Sequence, residues 1–310
     1  MTFATKSAAR RLLAGAAAAL AALAMLPAQA SGLAVLACEP EWAALAAELG
    51  GERVRVSSAT TALQDPHRIE ARPSLIARAR NADLLVCTGM ELEAGWLPVL
   101  VQQSGNPKIA EGRPGHFLAG AFVKAIDVPE RLDRADGDVH AAGNPHIQLD
   151  PRNIAIVAAA LARRMAELDP ANAAFYDGRQ RDFQSRWSAA LQRWERLAAP
   201  LRNVAVIEHH RNMGYLLHWL GMRSVGTLEP KPGVEPGAAH LSSLVARLQQ
   251  QPAKMVLRAA YQDGRASQWL SERARIAAVA VPFTVGGSER AKDLFGLFDD
   301  TVARLLEGAR

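Results

Sequence analysis

The sequence predicts an α/β protein of two similar lobes with parallel sheets, joined by a long helix, with a ligand site in the cleft between them. Three observations carry that prediction. Short apolar strand-like segments alternate with amphipathic helical ones, as in parallel sheets covered by helices. The alternation occurs twice, once in each half of the chain, with matching spacings. Between the two runs lies helical sequence of unusual length.

Residues 1–30 stand outside this plan. Lys6, Arg10 and Arg11 precede an apolar run from Leu12 to Leu26, and Ala28-Gln29-Ala30 places small residues at a cleavage position. That is the form of a secretory signal peptide, removed near Ala30. The run is shorter than the roughly 18 apolar residues of a membrane span, and no later stretch reaches that length. The mature chain is therefore expected to be exported and soluble. Val35-Leu36-Ala37-Cys38 faintly resembles a lipidation box but lies well past the apolar run, so no lipid anchor is expected. The chain carries 36 Lys and Arg against 31 Asp and Glu, and the leader holds three of the basic residues and no acidic one. The mature part is close to neutral and has no basic run, which argues against a nucleic-acid partner.

The first lobe, residues 31–168, opens with a strand at Leu33–Ala37 and a helix that carries Trp42, Leu45 and Leu49 to Gly50. A strand at Val54–Ser58, a helix around Ser74–Arg78 and a strand at Leu84–Val86 follow. Cys38 and Cys87 each end such a strand; they can pair if the strands are neighbours in one sheet, or remain two buried thiols. Asp150-Pro151 starts a helix with proline at its first position, running to about Leu168. After Asp169-Pro170, the connecting segment 169–199 places Tyr176, Phe183, Trp187, Leu191, Trp194 and Leu197 at helical spacing. A helix from Ala171 to Ala199 is about 40 Å long, enough to cross the back of both lobes and to hold their motions small.

The second lobe, residues 200–310, repeats the first. Val206-Ile207-Glu208-His209 leads through Tyr215, Leu216 and Leu220 to Gly221 with the spacing found from Val35 to Gly50. Ser243–Arg247 before Lys254–Leu257 echoes Ser74–Arg78 before Leu84–Val86. The tryptophans, mostly at amphipathic-helix spacing, are expected in the core, and Glu229–Gly233 reads as a rigid lobe-edge loop.

Three histidines sit where strands or extended segments give way to loops: His67 in Gln64-Asp65-Pro66-His67, His146 in Gly143-Asn144-Pro145-His146, and His210 in Glu208-His209-His210. In open α/β sheets ligands bind beyond the carboxyl ends of strands, so these loops should face the cleft. Three neutral imidazoles, with water or with Glu208, Asp65 or His209 as a fourth ligand, suit tetrahedral Zn2+ better than Mn2+, which prefers oxygen. Adjacent residues of an extended segment point to opposite sides, so only one of His209 and His210 faces the cleft.

These residues also carry a resemblance. Asp65-Pro66-His67 followed by Arg72-Pro73-Ser74, Asn81–Val86 and Gly89-Met90-Glu91-Leu92-Glu93, then Asn144-Pro145-His146 with Leu149-Asp150-Pro151, then His210 with Tyr215, resemble the zinc/manganese solute-binding proteins of ABC transporters. The match covers nearly all of the mature chain. It implies two Rossmann-like lobes joined by a long helix, His67, His146 and His210 as metal ligands, a periplasmic location, a membrane permease as partner and a monomeric carrier without enzymatic activity.

The chain departs from the family in two places. A late Asp near a Gly-rich turn supplies a fourth ligand in many members, but Val281-Pro282-Phe283-Thr284-Val285-Gly286-Gly287 offers no carboxylate. The long His- and acid-rich loop of many zinc-uptake members shrinks to Asp133, Asp136, Asp138 and His140, which read as a solvated loop. The alternative function is a secreted zinc hydrolase with Glu208 as general base. Against it stand the missing His-Glu-x-x-His helix and nucleophile elbow. A surface adhesin on the same scaffold would need an anchor that the leader does not clearly supply.

Overall fold

The computed structural model describes residues 32–131 and 140–310. The signal-peptide reading and the loop acids Asp133, Asp136 and Asp138 lie outside the described residues. No helix among the described residues is long and apolar enough to cross a membrane.

The first half forms a four-stranded parallel sheet from β1 (Leu33–Ala37), β2 (Val54–Ser58), β3 (Leu84–Cys87) and β4 (His116–Leu118), in the order β2-β1-β3-β4. The second half repeats that order with β5 (Ala205–Glu208), β6 (Arg223–Thr227), β7 (Met255–Ala259) and β8 (Ala277–Val281), as β6-β5-β7-β8. The internal repeat seen in the sequence is thus a repeat of topology, with a fourth strand added to the three expected in each half. The inner strands β3 and β5 are buried along their whole length, which is why they read as unbroken apolar runs. The edge strands β2 and β6 are half-exposed and correspondingly polar.

Helix α1 (Pro40–Gly50) has proline in its first turn and buries Trp42, Leu45, Ala46 and Leu49, one apolar stripe at helical spacing. Helices α2 (Pro73–Arg80) and α3 (Leu97–Ser104) complete the first half, and α4 (Pro151–Leu168) follows. The Asp150 carboxylate caps α4 by accepting from the Arg152 N–H at 2.9 Å, as the Asp-Pro signal predicts. Helix α5 (Ala173–Leu197) is the long connector, entered through a tight turn at Pro170–Asn172. At 1.5 Å per residue it runs about 37 Å. The second half carries α6 (Gly214–Leu220), α7 (Ala238–Gln250), α8 (Arg265–Ala274) and α9 (Leu294–Gly308).

Helix α5 lies along α4 and touches α1 from the first half and α9 from the second. Arg179 donates to the Glu48 carbonyl of α1 at 2.9 Å, and Trp194 Nε1 donates to Asp299 of α9 at 2.6 Å. Trp187 and Trp194 stack among Phe183, Phe295 and Phe298, so these tryptophans are core residues, as their spacing implies. One apolar core runs from Leu33 through Trp187 to Leu305 and is shared by both halves, with a smaller cluster on the outer face of each sheet.

Strands β1 and β3 are parallel neighbours, and Cys38 N–H donates to the Val86 carbonyl at 2.8 Å. The two possibilities for the cysteines resolve accordingly: Cys38 and Cys87 form a disulfide.

Candidate metal centre

Each of the three histidines expected to meet is held by a short local device. In the loop after β2, one Asp65 oxygen accepts both the His67 backbone N–H at 3.1 Å and His67 Nδ1 at 2.7 Å. A carboxylate only accepts, so Nδ1 carries the proton and Nε2 presents its lone pair. Burial pushes the Asp65 carboxyl up, but its bonds to His67 outweigh that and hold it below its ordinary value. Trp96 Nε1 pins the same loop through the Pro66 carbonyl at 2.9 Å.

His146 is placed by the turn before it. Gly143 has φ +97°, and a Cβ there would meet the Ile126 carbonyl at 2.6 Å, so only glycine lets the chain turn here. Asn144 then accepts the His146 N–H at 3.0 Å. The His146 ring is 2% exposed, and its Nδ1 has no hydrogen-bond partner. Burial, and then the neighbouring imidazoles His67, His210 and His140, push its pKa well below the usual value, so the ring is neutral. Phe283, itself at φ +71°, covers it edge-on at 5.3 Å.

His210 follows β5. Its Nδ1 bonds Glu229 at 2.6 Å, and the same Glu229 oxygen accepts the Gly233 N–H at 2.7 Å. Glu229 is more than part of a rigid lobe-edge loop, since its carboxylate orients a histidine at the neighbouring strand's end.

The rings converge. His67 lies 5.4 Å from His146 and 6.2 Å from His210, centroid to centroid. The structure adds a fourth imidazole, His140, stacked on His67 with Nε2 to Nε2 at 3.2 Å. With the His67 proton on Nδ1, this contact is a hydrogen bond that His140 Nε2 donates to His67 Nε2, and its length is close to the separation of about 3.4 Å between two nitrogens on one tetrahedral zinc. A cavity of about 290 Å3 is lined by His140, His146, His210, Asn144 and Arg211.

Of the fourth ligands that the sequence offers, Asp65 is bonded to His67 Nδ1, while Glu208 and His209 do not line the histidine cavity. Glu208 accepts the Met213 N–H at 3.1 Å and lines a larger cavity of about 920 Å3 along β6, which no histidine lines. The size of that cavity gives it no metal chemistry. His209 is buried and does not line the histidine cavity. Among the described residues, one trio of His, Cys, Asp or Glu groups has its ligand atoms all within 4.8 Å of one another: Cys38, Cys87 and Glu93. Its two sulfurs are bonded to each other and are not metal ligands. The imidazole set is more open than that trio.

The model of the family described as zinc-uptake complex component A, periplasmic (ZnuA), matches residues 35–308. The chain belongs to the ZnuA family. Among curated relatives, the high-affinity zinc uptake system protein ZnuA of Yersinia pestis is 26% identical over 62% of this chain and 64% of its own length. The manganese ABC transporter substrate-binding lipoprotein PsaA of Streptococcus anginosus is 23% identical over 79% of this chain and 78% of its own. A crystal structure of ZnuA superposes with a TM-score of 0.74 at 20% identity, covering 90% of this chain and all of that one. A manganese-bound periplasmic metal-binding protein from Candidatus Liberibacter asiaticus gives 0.70 at 15% identity, with the same coverage. At these identities the structural likeness speaks for the ZnuA fold: two parallel-sheet lobes and a long linking helix. The relatives named for zinc and for manganese lie at similar distance.

Proposed function

We propose that this ZnuA-family chain is the periplasmic solute-binding component of an ABC importer, capturing zinc and handing it to a membrane permease. His67, His146 and His210 are the ligands, and His140 supplies a fourth nitrogen. The observation that carries this reading is the set of four converging imidazoles, with His67 and His140 Nε2 atoms 3.2 Å apart. Asp65 and Glu229 hold Nδ1 protons on His67 and His210, leaving the Nε2 lone pairs for the ion.

The donor set supports zinc over manganese. Imidazole suits a borderline-soft ion, whereas manganese prefers carboxylate, carbonyl and water oxygen. The carboxylates of Asp65 and Glu229 are engaged by histidine nitrogens, Asp127 on the cavity wall accepts from Asn144 Nδ2 at 3.2 Å, and Phe283 covers one wall of His146. The hydrolase alternative loses its base, because Glu208 faces the other cavity.

The test is metal analysis of protein purified without chelator, with competitive titration of zinc against manganese. One equivalent of zinc, not displaced by excess manganese, is expected. Retention of manganese in preference to zinc would overturn the choice of metal, and binding of neither would overturn the carrier reading.

A further inference from the structure

A second, far smaller cavity lies between the two halves. It is lined by Glu39 and Glu41 at the start of α1, Gln148 ahead of α4, and Tyr261, Phe283 and Thr284 from the second half. Its volume of about 10 Å3 is room for one water-sized particle. Glu39, Glu41 and Gln148 are each more than nine-tenths buried. Behind Glu39 stands Glu93, also buried, which accepts the N–H groups of Thr88 at 2.7 Å and Gly89 at 3.0 Å.

This site is rich in acceptors and short of positive charge. Thr88 Oγ1 donates to Glu39 Oε2 at 3.2 Å, and Thr284 Oγ1 donates to Glu41 Oε2 across the two halves. The other Glu39 oxygen, Oε1, and the amide oxygen of Gln148 have no partner. No Lys, Arg or His is among the residues that line the cavity. Buried carboxylates without a basic neighbour must be neutralised, by protons or by a cation. Glu39 and Gln148, whose oxygens lack partners, both line this one water-sized cavity, and a cation held there would take both as ligands.

We propose that this cavity is a second cation site, distinct from the imidazoles, taking one hard cation of the calcium class on carboxylate and amide oxygens. All-oxygen donors select hard ions, as the nitrogens of the histidine cavity select a softer one. The ion would sit between α1 of the first half and the Phe283-Thr284 segment of the second, bridging the two. Burial, with the neighbouring carboxylates, pushes Glu39 well above the usual range and Glu41 up to about 7, so protons compete with the ion in mild acid.

The test is calorimetric titration and thermal melting of the zinc-free full-length protein with calcium chloride, against sodium chloride of equal ionic strength, at pH 7.5. Wild type and His67→Ala should each bind one equivalent and melt several degrees higher, whereas Glu39→Gln should do neither. Glu41→Gln serves if Glu39→Gln does not fold. The wild-type response should vanish at pH 5. A wild type indifferent to calcium, a response undiminished in a folded variant, or one that persists at pH 5 would overturn the site. The His67→Ala arm separates this outcome from any failure at the histidines.

Discussion

At the scale of the residue, an imidazole serves a metal only when its proton sits on the far nitrogen, and here carboxylates enforce that choice for His67 and His210. Alanine at His67, His146 or His210 should therefore weaken zinc binding by orders of magnitude, and alanine at His140 by less. His140 enters from the loop that follows the acidic stretch, whereas the other three are held in short turns. His116, whose Nδ1 bonds the Ile109 carbonyl, and His218 should tolerate alanine with unchanged affinity. Full calorimetric affinity in any of the first three variants would remove that residue from the site. Asp65→Asn and Glu229→Gln should each cost about 10–100-fold in affinity, the usual effect of releasing a ligand's supporting carboxylate. His67, His146 and His210 were legible because each follows an Asp-Pro, an Asn-Pro or a strand end. His140 was not, since its acidic neighbours made the segment look like solvated loop. Nor was Glu229, because its partner His210 lies on another loop and only the pairing of β5 with β6 brings the two together.

At the scale of the element, periodicity fixed strands and helices well, while polar residues inside those elements were the blind spot. Acidic residues at a helix start usually face water and favour the dipole. Glu39 and Glu41 are instead buried, because the Phe283-Thr284 segment from the far half of the chain closes over them. Burial lifts Glu41 and Glu93 to about 7 each, above the 4.5 of an ordinary glutamate. With folded-state values raised, the native chain holds more protons than the unfolded one between those limits. The stability they contribute is present in full below about pH 4.5 and is lost as pH rises through about 7. In chelator, wild type should lose on the order of 1–3 kcal/mol relative to Glu41→Gln between pH 5 and 8. Parallel denaturation curves for the two proteins across that range would remove the argument. The disulfide is also an element-scale feature, since it ties β1 to β3 across a separation of 49 residues. Replacing both cysteines with alanine should lower unfolding stability by about 2–4 kcal/mol, measurable by urea denaturation. An unchanged midpoint would show that strand pairing alone holds these ends together.

At the scale of the whole molecule, the two halves share one core, and this decides how a carrier of this kind can move. The internal repeat made the two-lobed plan readable in the sequence, but no local pattern could show that Trp187, Trp194 and Phe298 would join both halves into one apolar cluster. Wide hinge opening would expose that cluster to water, at about 25 cal/mol for each Å2 of apolar surface. Small rotations and loop ordering cost far less. On the proposed function, binding and release of zinc should therefore act on the loops that carry His67, His140, His146, His210 and Glu229, with α5 nearly still. Zinc should slow amide exchange in those loops and leave α5 unchanged, while the radius of gyration from solution scattering shifts only slightly between the apo and zinc forms. A large contraction on zinc binding, or faster exchange along α5 in the apo protein, would mean that the shared core opens and that the long helix is a hinge rather than a brace.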